Sequence, residues 1–426
     1  MIEKRKPLPV KEALKKVMSF ATVGDIEQVS LQESFGRYLA EDLIATHPVP
    51  PFDRSPYDGF AIRAHDSANA KADQPVEFEV IDEIGAGSVS KESLGQNQAI
   101  RIMTGAQMPC GSDAVVMLEL TKVYKKDNIV YMSIKRPFHK GDNVSFKGED
   151  TPEGSVLVKK GTCITPGTIA LLATFGYEKV QVVRQPRIGI IATGSELLEV
   201  GEPLEPGKIR NSNSFMIEAQ AKRAGARPIY LGKLADDFET CYKAVVDALE
   251  EVDILLTTGG VSVGDYDYLP DIYQRLGANV LFNKIAMRPG SVTTVAEYNG
   301  KLLFGLSGNP SACYVGFELF VRPIVRHYLY SSRPHLQKVT AILGKDFLKP
   351  NPFTRFVRGS FQLIDGQVIA SPVGLDKSNV VSSLADANVF IVLPGGTRGY
   401  KTGDMIDLLL FEDQLGSDTH WAESFK

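Results

Sequence analysis

The chain has 426 residues, of which 43% are hydrophobic and 23% are charged, a composition typical of folded globular domains. Its 47 Lys and Arg residues against 51 Asp and Glu residues give a net charge of −4, which argues against a nucleic-acid partner. No CxxC pair and no zinc-ligand spacing of histidines is present. No segment is typical of a signal peptide or long enough to span a bilayer, so the sequence predicts a soluble cytoplasmic protein that binds neither nucleic acid nor membrane.

The N-terminal third predicts two helices, then a change to β structure. Apolar residues at helical spacing predict a helix from Val10 to Met18, and a second helix is expected over residues 31–43. A proline-rich break at residues 47–52 indicates entry into a new domain. Short apolar runs then predict strands at residues 76–81, 99–103, 114–118 and 129–134, with Asp127-Asn128 as a hairpin turn. A helix is expected from Pro166 to Phe175.

The central part of the chain alternates between strand and helix patterns. Apolar runs at residues 188–192, 229–231, 254–256 and 302–306 each lead into a loop and a helical pattern. The clearest helix carries one apolar stripe from Phe238 to Leu249 and follows a potential cap at Asp236-Asp237. Strands that alternate with helices predict a parallel sheet covered on both faces.

The last part returns to β structure and completes a multidomain α/β fold. A hairpin is expected at residues 361–370 around Asp365-Gly366, and the polar tail after Phe411 is expected to be frayed. The predicted fold class is an elongated α/β multidomain protein, with a central doubly wound α/β domain flanked by mostly-β domains. The expected domains are residues 1–48 with 142–183 (a discontinuous helical and β domain), 49–141 (an inserted small β domain), 184–332 (the α/β domain) and 336–412 (a β domain).

Three loops of the central domain carry the candidate binding residues. Each follows a predicted strand, and in an open α/β sheet ligands bind outside the carboxyl ends of the strands. Glycine and serine allow close approach of a ligand to the backbone, and helix N-termini favour anions. The candidates are Thr193, Gly194, Gly259, Gly260, Ser262, Gly264, Ser307, Gly308, Asn309 and Pro310. Neither GxxxxGK[ST] nor GxGxxG is present, so the anion is not held as in nucleotide triphosphatases or dehydrogenases.

Charged residues near these loops complete the candidate site. Lys284 and Arg288 flank a turn where a parallel strand is expected to end, and both can reach an oxyanion there. Carboxylates beside a phosphate site require a bridging hard cation, and Mg²⁺ is the usual one. The acidic candidates are Glu196, Asp236, Asp265 and Asp267. Taken singly, the cations are also typical of a solvated surface and the carboxylates of helix caps.

One motif suggests a different class of enzyme. Residues 260–264 match GxSxG, which would make Ser262 the nucleophile of a serine hydrolase. The later histidines are His327, His335 and His420, none of which lies in a glycine-rich active-site loop. An HGGG-type oxyanion segment is also missing, so the sequence disfavours this alternative.

At these residues the chain closely resembles the molybdopterin molybdenumtransferases, the family of bacterial MoeA and the gephyrin E domain. The resemblance runs from Pro9 to Phe411, with the motifs in the family's order. Residues 51–61 resemble PxFDxSxxDGYA, and residues 101–106 resemble RIxTGA. The remaining signatures match residues 148–150, 192–197, 258–267, 287–290 and 307–311.

The resemblance implies a reaction in which adenylylated molybdopterin and molybdate give molybdenum cofactor and AMP, with Mg²⁺ as cofactor. It implies a homodimer in which Asp58 and Thr104 of one subunit face the central domain of the other. The functional residues carried over by motif are Asp58, Thr104, Asp150, Glu196, Asp236 and Asp267, with Asp236 and Asp267 as metal ligands. Lys284 and Arg288 carry over as anion contacts, and Ser383 (or its neighbour Ser382) lines the site from the last domain. A molybdopterin adenylyltransferase and molybdoenzyme chaperones are candidate partners.

Departures from the family pattern concern positive charge. Ser145 stands where the family often has Arg, and Ser291 stands where its PGKP motif has Lys. Ser307 replaces a proline. We therefore expect this chain to bind molybdate more weakly than a typical family member. Lys147 is a candidate compensating cation, and the surroundings of Ser383 and Arg358 are the alternative anion site. The preference for molybdate or tungstate stays open. A non-catalytic scaffold, as in gephyrin, is the other alternative, and the presence of Asp58, Asp236 and Asp267 favours the enzyme.

Overall fold

The computed structural model describes residues 6–234, 237–259 and 268–411, and the chain divides into two compact units. The first unit comprises Met1–Glu41, Lys160–Pro166 and Lys179–Lys426. The second comprises Asp42–Lys159 and Gly167–Glu178. The fold class is the one expected, a mixed α/β core with β-rich domains. The four-domain division of the sequence stays a prediction.

The second unit is built around a six-stranded sheet. In spatial order its strands are Ala114–Met117, Gly59–Ile62, Gln98–Ile102, Val76–Ile84, Ile129–Ile134 and Thr121–Lys126. Successive side chains point to opposite faces, so Phe60 and Ile62 lie in one apolar cluster and Ala61 lies in the other. The remaining elements are the strand pair Leu43–Ile44 with Val156–Val158, the short helices Ala64–Ser67 and Leu118–Leu120, and the helix Pro166–Thr174.

The hairpin predicted in this unit is confirmed. Asp127 and Asn128 have positive φ values of 49° and 67° and join the antiparallel strands Thr121–Lys126 and Ile129–Ile134. Asparagine and aspartate tolerate this left-handed conformation better than other residues with a β-carbon, which is why the pair marks a tight turn.

The central sheet of the first unit has helices on both faces, as predicted. In spatial order its strands are Arg227–Leu234, Arg187–Thr193, Ile254–Thr258, Lys301–Leu306, Thr294–Tyr298 and Asn279–Phe282. The first four are parallel, and Thr294–Tyr298 runs antiparallel to both its neighbours. Ile254 and Leu256 pack into the apolar cluster of one face, whereas Leu255 packs into that of the other. This alternation within one buried strand explains its continuous apolar run.

The helices of the first unit cover these two faces. One apolar cluster includes residues from Val10–Met18, Asn213–Ala224, Pro310–Gly316, the π-helical Phe317–Val321 and Arg322–Tyr328. The other includes residues from Phe238–Glu251 and Leu269–Leu276. Asp237 caps the helix Phe238–Glu251 by accepting a 2.8 Å hydrogen bond from the N–H of Thr240, so the predicted cap is confirmed at the second of the two aspartates. Two further strand pairs are Ile26–Ser30 with Lys179–Val183, and Leu197–Leu198 with Ile209–Arg210.

The C-terminal strands close into a barrel. Thr354–Ile364, Gln367–Pro372, Gln337–Leu343, Met405–Leu410 and Val389–Leu393 follow one another, and the last pairs back to the first. The predicted hairpin is present, with Asp365 and Gly366 at its turn. The two-residue strand Met287–Arg288 adds to Thr354–Ile364 in parallel, and a short helix Ser382–Leu384 lies between the barrel strands. The tail beyond Phe411 lies outside the described residues.

Two expectations about local structure were wrong. No long helix covers residues 31–43, since only the 3₁₀ turn Leu31–Glu33 forms and Gly36 has a φ of +75°. Tyr38 and Leu39 instead form β-bridges, because their apolar side chains are buried in extended backbone. The strand before Lys284, Asn279–Phe282, pairs antiparallel with Thr294–Tyr298, so the parallel strand expected there is absent.

The four cysteines are free, as expected from their spacing. None of the helices in the described part of the chain combines the length and apolar character that crossing a bilayer requires.

Candidate functional site

The described parts of the three predicted loops lie together at the carboxyl edge of the central sheet. Thr193, Gly259 and Ser307 follow or end three neighbouring parallel strands. Gly259 has a φ of +87°, and a β-carbon on it would lie 2.6 Å from the carbonyl oxygen of Thr193. A β-carbon on Gly308 would lie 3.5 Å from the Cα of Gly259. Glycine is therefore required at position 259, whereas a β-carbon on Gly308 would make an ordinary van der Waals contact.

Hydrogen bonds fix this edge. The hydroxyl of Thr193 donates to the carbonyl of Thr258 at 3.2 Å, and the amide of Asn213 donates to the carbonyl of Gly308 at 2.9 Å. The N–H of Asn309 donates to the hydroxyl of Ser307 at 3.3 Å, immediately before Pro310 begins a helix. The loops are therefore held in place by the chain itself.

Glu196 also lies at this edge. It is exposed, and a β-carbon on Gly194 would lie 2.4 Å from its Oε2 atom. Gly194 has a φ of +137°, so its backbone conformation favours glycine, and the carboxylate of Glu196 lies directly beside it. This exposed carboxylate has no hydrogen bond to another described side chain.

A cavity of about 420 Å³ lies between the central sheet and the C-terminal barrel. The turn Arg288-Pro289-Gly290-Ser291 and the residues Ser307 and Asn309 line one side. Arg355, Asp376, Lys377 and Ser378 line the other. Three cationic side chains against one carboxylate make the cavity suitable for an anion.

The loop that carries Asp376 is attached to the central domain. The N–H of Ser311 donates to the carbonyl of Ser378 at 3.0 Å, and its hydroxyl donates to the carbonyl of Val380 at 2.6 Å. Ser311 is fully buried, so these bonds are shielded from water. These hydrogen bonds therefore fix the position of the Asp376 loop relative to the central domain.

Arg358 is the most unusual charge in this region. Its side chain is 1% exposed, and no described carboxylate forms an ion pair with it. The Nε donates to the hydroxyl of Ser383 at 2.7 Å, and Nη2 donates to the carbonyls of Leu375 at 2.8 Å and Lys377 at 3.3 Å. Nη1 has no hydrogen-bond partner among the described residues. Burial lowers the pKa of the Arg358 guanidinium, and the charge of Asp376 partly opposes this effect.

A second polar pair lies in the other compact unit. The N–H and hydroxyl of Thr104 donate to the same oxygen of Asp58, at 2.7 and 2.8 Å. These hydrogen bonds hold the pKa of Asp58 below its ordinary value, while the carboxylate stays exposed. The structure thus brings together two residues 46 positions apart that the motifs had singled out.

The other predicted residues of that unit are less closely connected. Asp150 is exposed, and its N–H donates to the carbonyl of Val49. Ser145 exchanges two backbone hydrogen bonds of 2.9 Å with Arg54. The N–H of Lys147 donates to a carboxylate oxygen of Asp53 at 2.8 Å, and no described contact involves its ammonium group. Compensation by Lys147 stays a prediction.

Some predicted site residues either do not line the cavity or lie outside the described residues. Lys284 does not line it, and its carbonyl accepts a 2.9 Å hydrogen bond from Leu8. The metal candidates Asp236 and Asp267 lie outside the described residues, together with Gly260, Ser262, Gly264 and Asp265. Within residues 6–234, 237–259 and 268–411, no cluster of three or more potential metal ligands is present.

Sequence reasoning missed Arg355 and named Arg358 only as an alternative. The available signal was the segment Phe356-Val357-Arg358-Gly359, where a charge interrupts an apolar strand. A buried arginine in such a position is rare unless it binds something or is paired.

Comparison with known proteins gives matches over most of the chain. Family models match at residues 8–176 (MoeA N-terminal region, domains I and II), 189–327 (probable molybdopterin binding domain) and 340–411 (MoeA C-terminal region, domain IV). The molybdopterin molybdenumtransferase of Bacillus subtilis is 60% identical over 99% of this chain and 98% of its own length. That of Staphylococcus aureus strain MRSA252 is 50% identical over 98% and 99%. The crystal structure of the molybdopterin biosynthesis moeA protein from Pyrococcus horikoshii OT3 superposes with a TM-score of 0.81 at 33% identity, covering 95% of this chain and 100% of that one.

Fold and site together define a multidomain α/β protein with a cavity rich in cationic side chains beside a glycine-lined sheet edge. The chain belongs to the MoeA family of molybdopterin molybdenumtransferases. It is therefore a transferase of molybdenum cofactor biosynthesis, as the motifs indicated, and the serine hydrolase interpretation of Ser262 is wrong.

Proposed function

We propose that this enzyme inserts molybdate into adenylylated molybdopterin and releases AMP, with Mg²⁺ as cofactor. The observation that carries the proposal is the cationic cavity between the central sheet and the barrel, lined by Arg288, Arg355 and Lys377. Molybdate is a dianionic tetrahedral oxyanion, and guanidinium groups with serine hydroxyls are suitable donors for it. The cavity is larger than one oxyanion, which leaves room for a reacting group of the pterin substrate.

Arg358 supports the same assignment from inside the protein. A buried cation without a carboxylate partner costs free energy unless an anion compensates it. Nη1 is unsatisfied within the described residues, and Ser383 and two backbone carbonyls hold the rest of the guanidinium in position. Arg358 and Ser383 accordingly maintain a positive potential behind the cavity that stabilises a bound oxyanion.

We propose that the pterin nucleotide lies along the carboxyl edge of the central sheet. Thr193, Gly194, Gly259, Gly308 and Asn309 offer backbone groups there, and the absence of β-carbons at the glycines permits close approach. The phosphoanhydride would then point from the central sheet toward Arg288 and the cavity. Positioning of the two substrates against each other is the main contribution of this arrangement to catalysis.

The residues near this edge fit a magnesium ion by their donor chemistry. Mg²⁺ prefers carboxylate oxygens and retains several waters, and Glu196 presents an exposed carboxylate beside Gly194. We propose that Asp236 and Asp267 hold the ion and that Glu196 assists them. Bound Mg²⁺ would neutralise charge on the phosphoanhydride that is cleaved.

We further propose that the enzyme acts as a cytoplasmic homodimer. Asp58 and Thr104, with Asp150, would contribute from one subunit to the site of the other. The hydrogen bonds from Thr104 keep Asp58 ionised and fix its second carboxylate oxygen in one orientation. A molybdopterin adenylyltransferase would supply the substrate, and molybdoenzyme chaperones would receive the product.

Release of AMP tests the reaction directly. The purified protein is incubated with adenylylated molybdopterin, Mg²⁺ and molybdate, and AMP is quantified by chromatography, with each component omitted in turn. We expect AMP only in the complete mixture. Arg288→Ala should raise the molybdate concentration for half-maximal release, whereas Arg227→Ala, an exposed arginine outside the cavity, should not. A folded wild-type protein that releases no AMP would instead favour the scaffold alternative.

A further inference from the structure

Arg355 is an arginine whose guanidinium is fixed at Nε and Nη1, while Nη2 has no hydrogen-bond partner among the described residues. Its Nε donates to the amide oxygen of Asn351 at 2.8 Å, and its Nη1 donates to a carboxylate oxygen of Asp376 at 2.5 Å. The guanidinium carbon lies 5.6 Å from the ring centre of Phe347, which covers one part of its surface. The side chain lines the cavity. Arg355 is therefore held in position beside the cavity and keeps unused donors for a ligand.

Arg355 lies next to Arg288. The strand Met287–Arg288 pairs in parallel with Thr354–Ile364, and Arg288 is the register partner of Arg355. Register partners on neighbouring strands present their side chains on the same face, so Arg288 and Arg355 are neighbours where the two sides of the cavity join. Two neighbouring positive charges repel each other, and an anion bound between them offsets this repulsion.

Asp376 orients Arg355 without neutralising the cavity. The same carboxylate also accepts from the ammonium of Lys349 at 3.4 Å, and the backbone carbonyl of Asp376 accepts from Lys349 at 2.9 Å. Its negative charge is therefore shared between two cations. Arg288 and Lys377 have no ion-pair partner among the described residues, so positive charge remains in excess at the cavity.

We propose that Arg288 and Arg355 together bind the oxyanion substrate, and that Arg355 supplies the positive charge that Ser291 does not. Ser291 lines the same cavity and stands where the family motif carries a lysine. Two guanidinium groups offer paired planar donors, whereas a lysine offers a point charge, so the anion is recognised by geometry in addition to charge. This inference rests on the proposed function, since it deepens the assignment of the cavity to molybdate.

The test measures oxyanion binding without turnover. Molybdate and, in parallel, tungstate are equilibrated with the pterin-free protein by dialysis, and bound metal is quantified by mass spectrometry. Arg355→Gln should weaken molybdate binding by about tenfold or more, the effect expected for loss of a charge-assisted donor in a shielded site. Arg398→Gln, an exposed arginine of the C-terminal barrel region outside the cavity, should bind as the wild type does.

Two double variants separate the contribution of Arg355 from side effects. Arg355→Gln with Ser291→Lys should recover most of the lost affinity, because the charge returns to the same cavity. Arg355→Gln with Asp376→Asn removes the partner carboxylate and should stay weak. If that second variant bound molybdate like the wild type, the loss in Arg355→Gln would come from the excess negative charge of Asp376, and the inference would be overturned. This variant also serves if Arg355→Gln alone fails to fold, because the carboxylate that has lost its arginine partner is removed as well.

The dialysis result is independent of the reaction. Wild-type affinity in folded Arg355→Gln overturns the role of Arg355 even when the enzyme releases AMP normally. Conversely, Arg355-dependent molybdate binding in a protein that releases no AMP supports the inference and refutes the proposed reaction. A wild-type protein that binds neither molybdate nor tungstate overturns the inference.

Discussion

The charged side chains of Arg358 and Asp58 are held in position in opposite ways. Arg358 is 1% exposed and is surrounded by Ser383 and backbone carbonyls, whereas Asp58 is exposed and is fixed by Thr104 alone. Burial of the first lowers its pKa by desolvation, and hydrogen bonding lowers the pKa of the second. A buried charge changes the stability of the fold, while an exposed carboxylate in a loop affects it little.

Substitutions at Arg358 and at Asp58 therefore have to be interpreted differently. At Arg358, loss of activity has to be separated from an effect on folding, and the substitution has to preserve volume. At Asp58, a folded variant is expected from the outset, so loss of activity points to a functional role. The following predictions use this contrast.

The largest effect is expected for Arg358→Met. Methionine fills a similar volume without charge, so the desolvation cost disappears while the hydrogen bonds to Leu375 and Lys377 are lost. Because these effects oppose each other, the melting temperature should stay close to that of the wild type. Molybdate-dependent AMP release should fall by about 100-fold or more, as when an oxyanion-stabilising donor is removed. A folded variant with normal release would remove Arg358 from the account.

A loss of activity without loss of stability is expected for Asp58→Asn. The amide keeps the shape of the side chain but not its charge, and the matched control is Asp73→Asn, an exposed aspartate of the same unit. Hydrogen bonds from Thr104 lower the pKa of Asp58 in the folded protein. The carboxylate is therefore ionised and hydrogen-bonded to Thr104 above the ordinary pKa of about 3.9, and this state is lost only as the pH falls through the lowered pKa. AMP release between about pH 5 and 8 should therefore show no acid limb due to Asp58. An acid limb of the wild-type enzyme in this range that moves to higher pH in Thr104→Val, which lacks the hydroxyl donor to Asp58, would contradict this.

Mixing inactive subunits tests where Asp58 acts. If Asp58 and Asp267 serve a shared site from different subunits, equal amounts of Asp58→Asn and Asp267→Asn form heterodimers in which one site carries both native residues. Random assortment then restores about a quarter of the wild-type activity. Heterodimers that form but show no recovery would place both residues in the site of one subunit.

The smallest effect is expected at the pair Asp236 and Asp237. Asp237 caps the helix Phe238–Glu251, so Asp237→Ala should lower the melting temperature slightly and leave AMP release intact. Asp236→Asn should leave the melting temperature unchanged and reduce Mg²⁺-dependent release. The melting temperature and AMP release of both variants are measured to distinguish the helix cap from the metal ligand. If Asp236→Asn lowered the melting temperature and Asp237→Ala reduced AMP release, the two assignments would be exchanged.

Much of the fold could be predicted from periodicity and turn chemistry. The four parallel strands of the central sheet and the hairpin turns at Asp127-Asn128 and Asp365-Gly366 were found because each depends on local residue patterns. The segment 31–43 was mispredicted, since burial of Tyr38 and Leu39 in extended backbone depends on distant strands. Tertiary pairing overrides helical propensity in such a segment.

The candidate site was predictable to a lesser degree for a related reason. Motif order identified Asp58 with Thr104, and strand-end glycines identified the sheet edge. Arg355 was missed because its position beside Arg288 depends on a two-residue strand that joins the barrel to the central domain. Such a pairing leaves no periodic signal in the sequence.

The position of a bound oxyanion shows directly whether the cavity beside Arg288 binds molybdate. Crystals of the protein are soaked with tungstate, a heavier analogue of molybdate, and anomalous difference maps are measured at the tungsten edge. We expect a peak in the cavity lined by Arg288, Ser291 and Arg355, within hydrogen-bonding distance of at least one guanidinium group. A peak at another place in the molecule with this cavity empty at saturating tungstate would contradict the account.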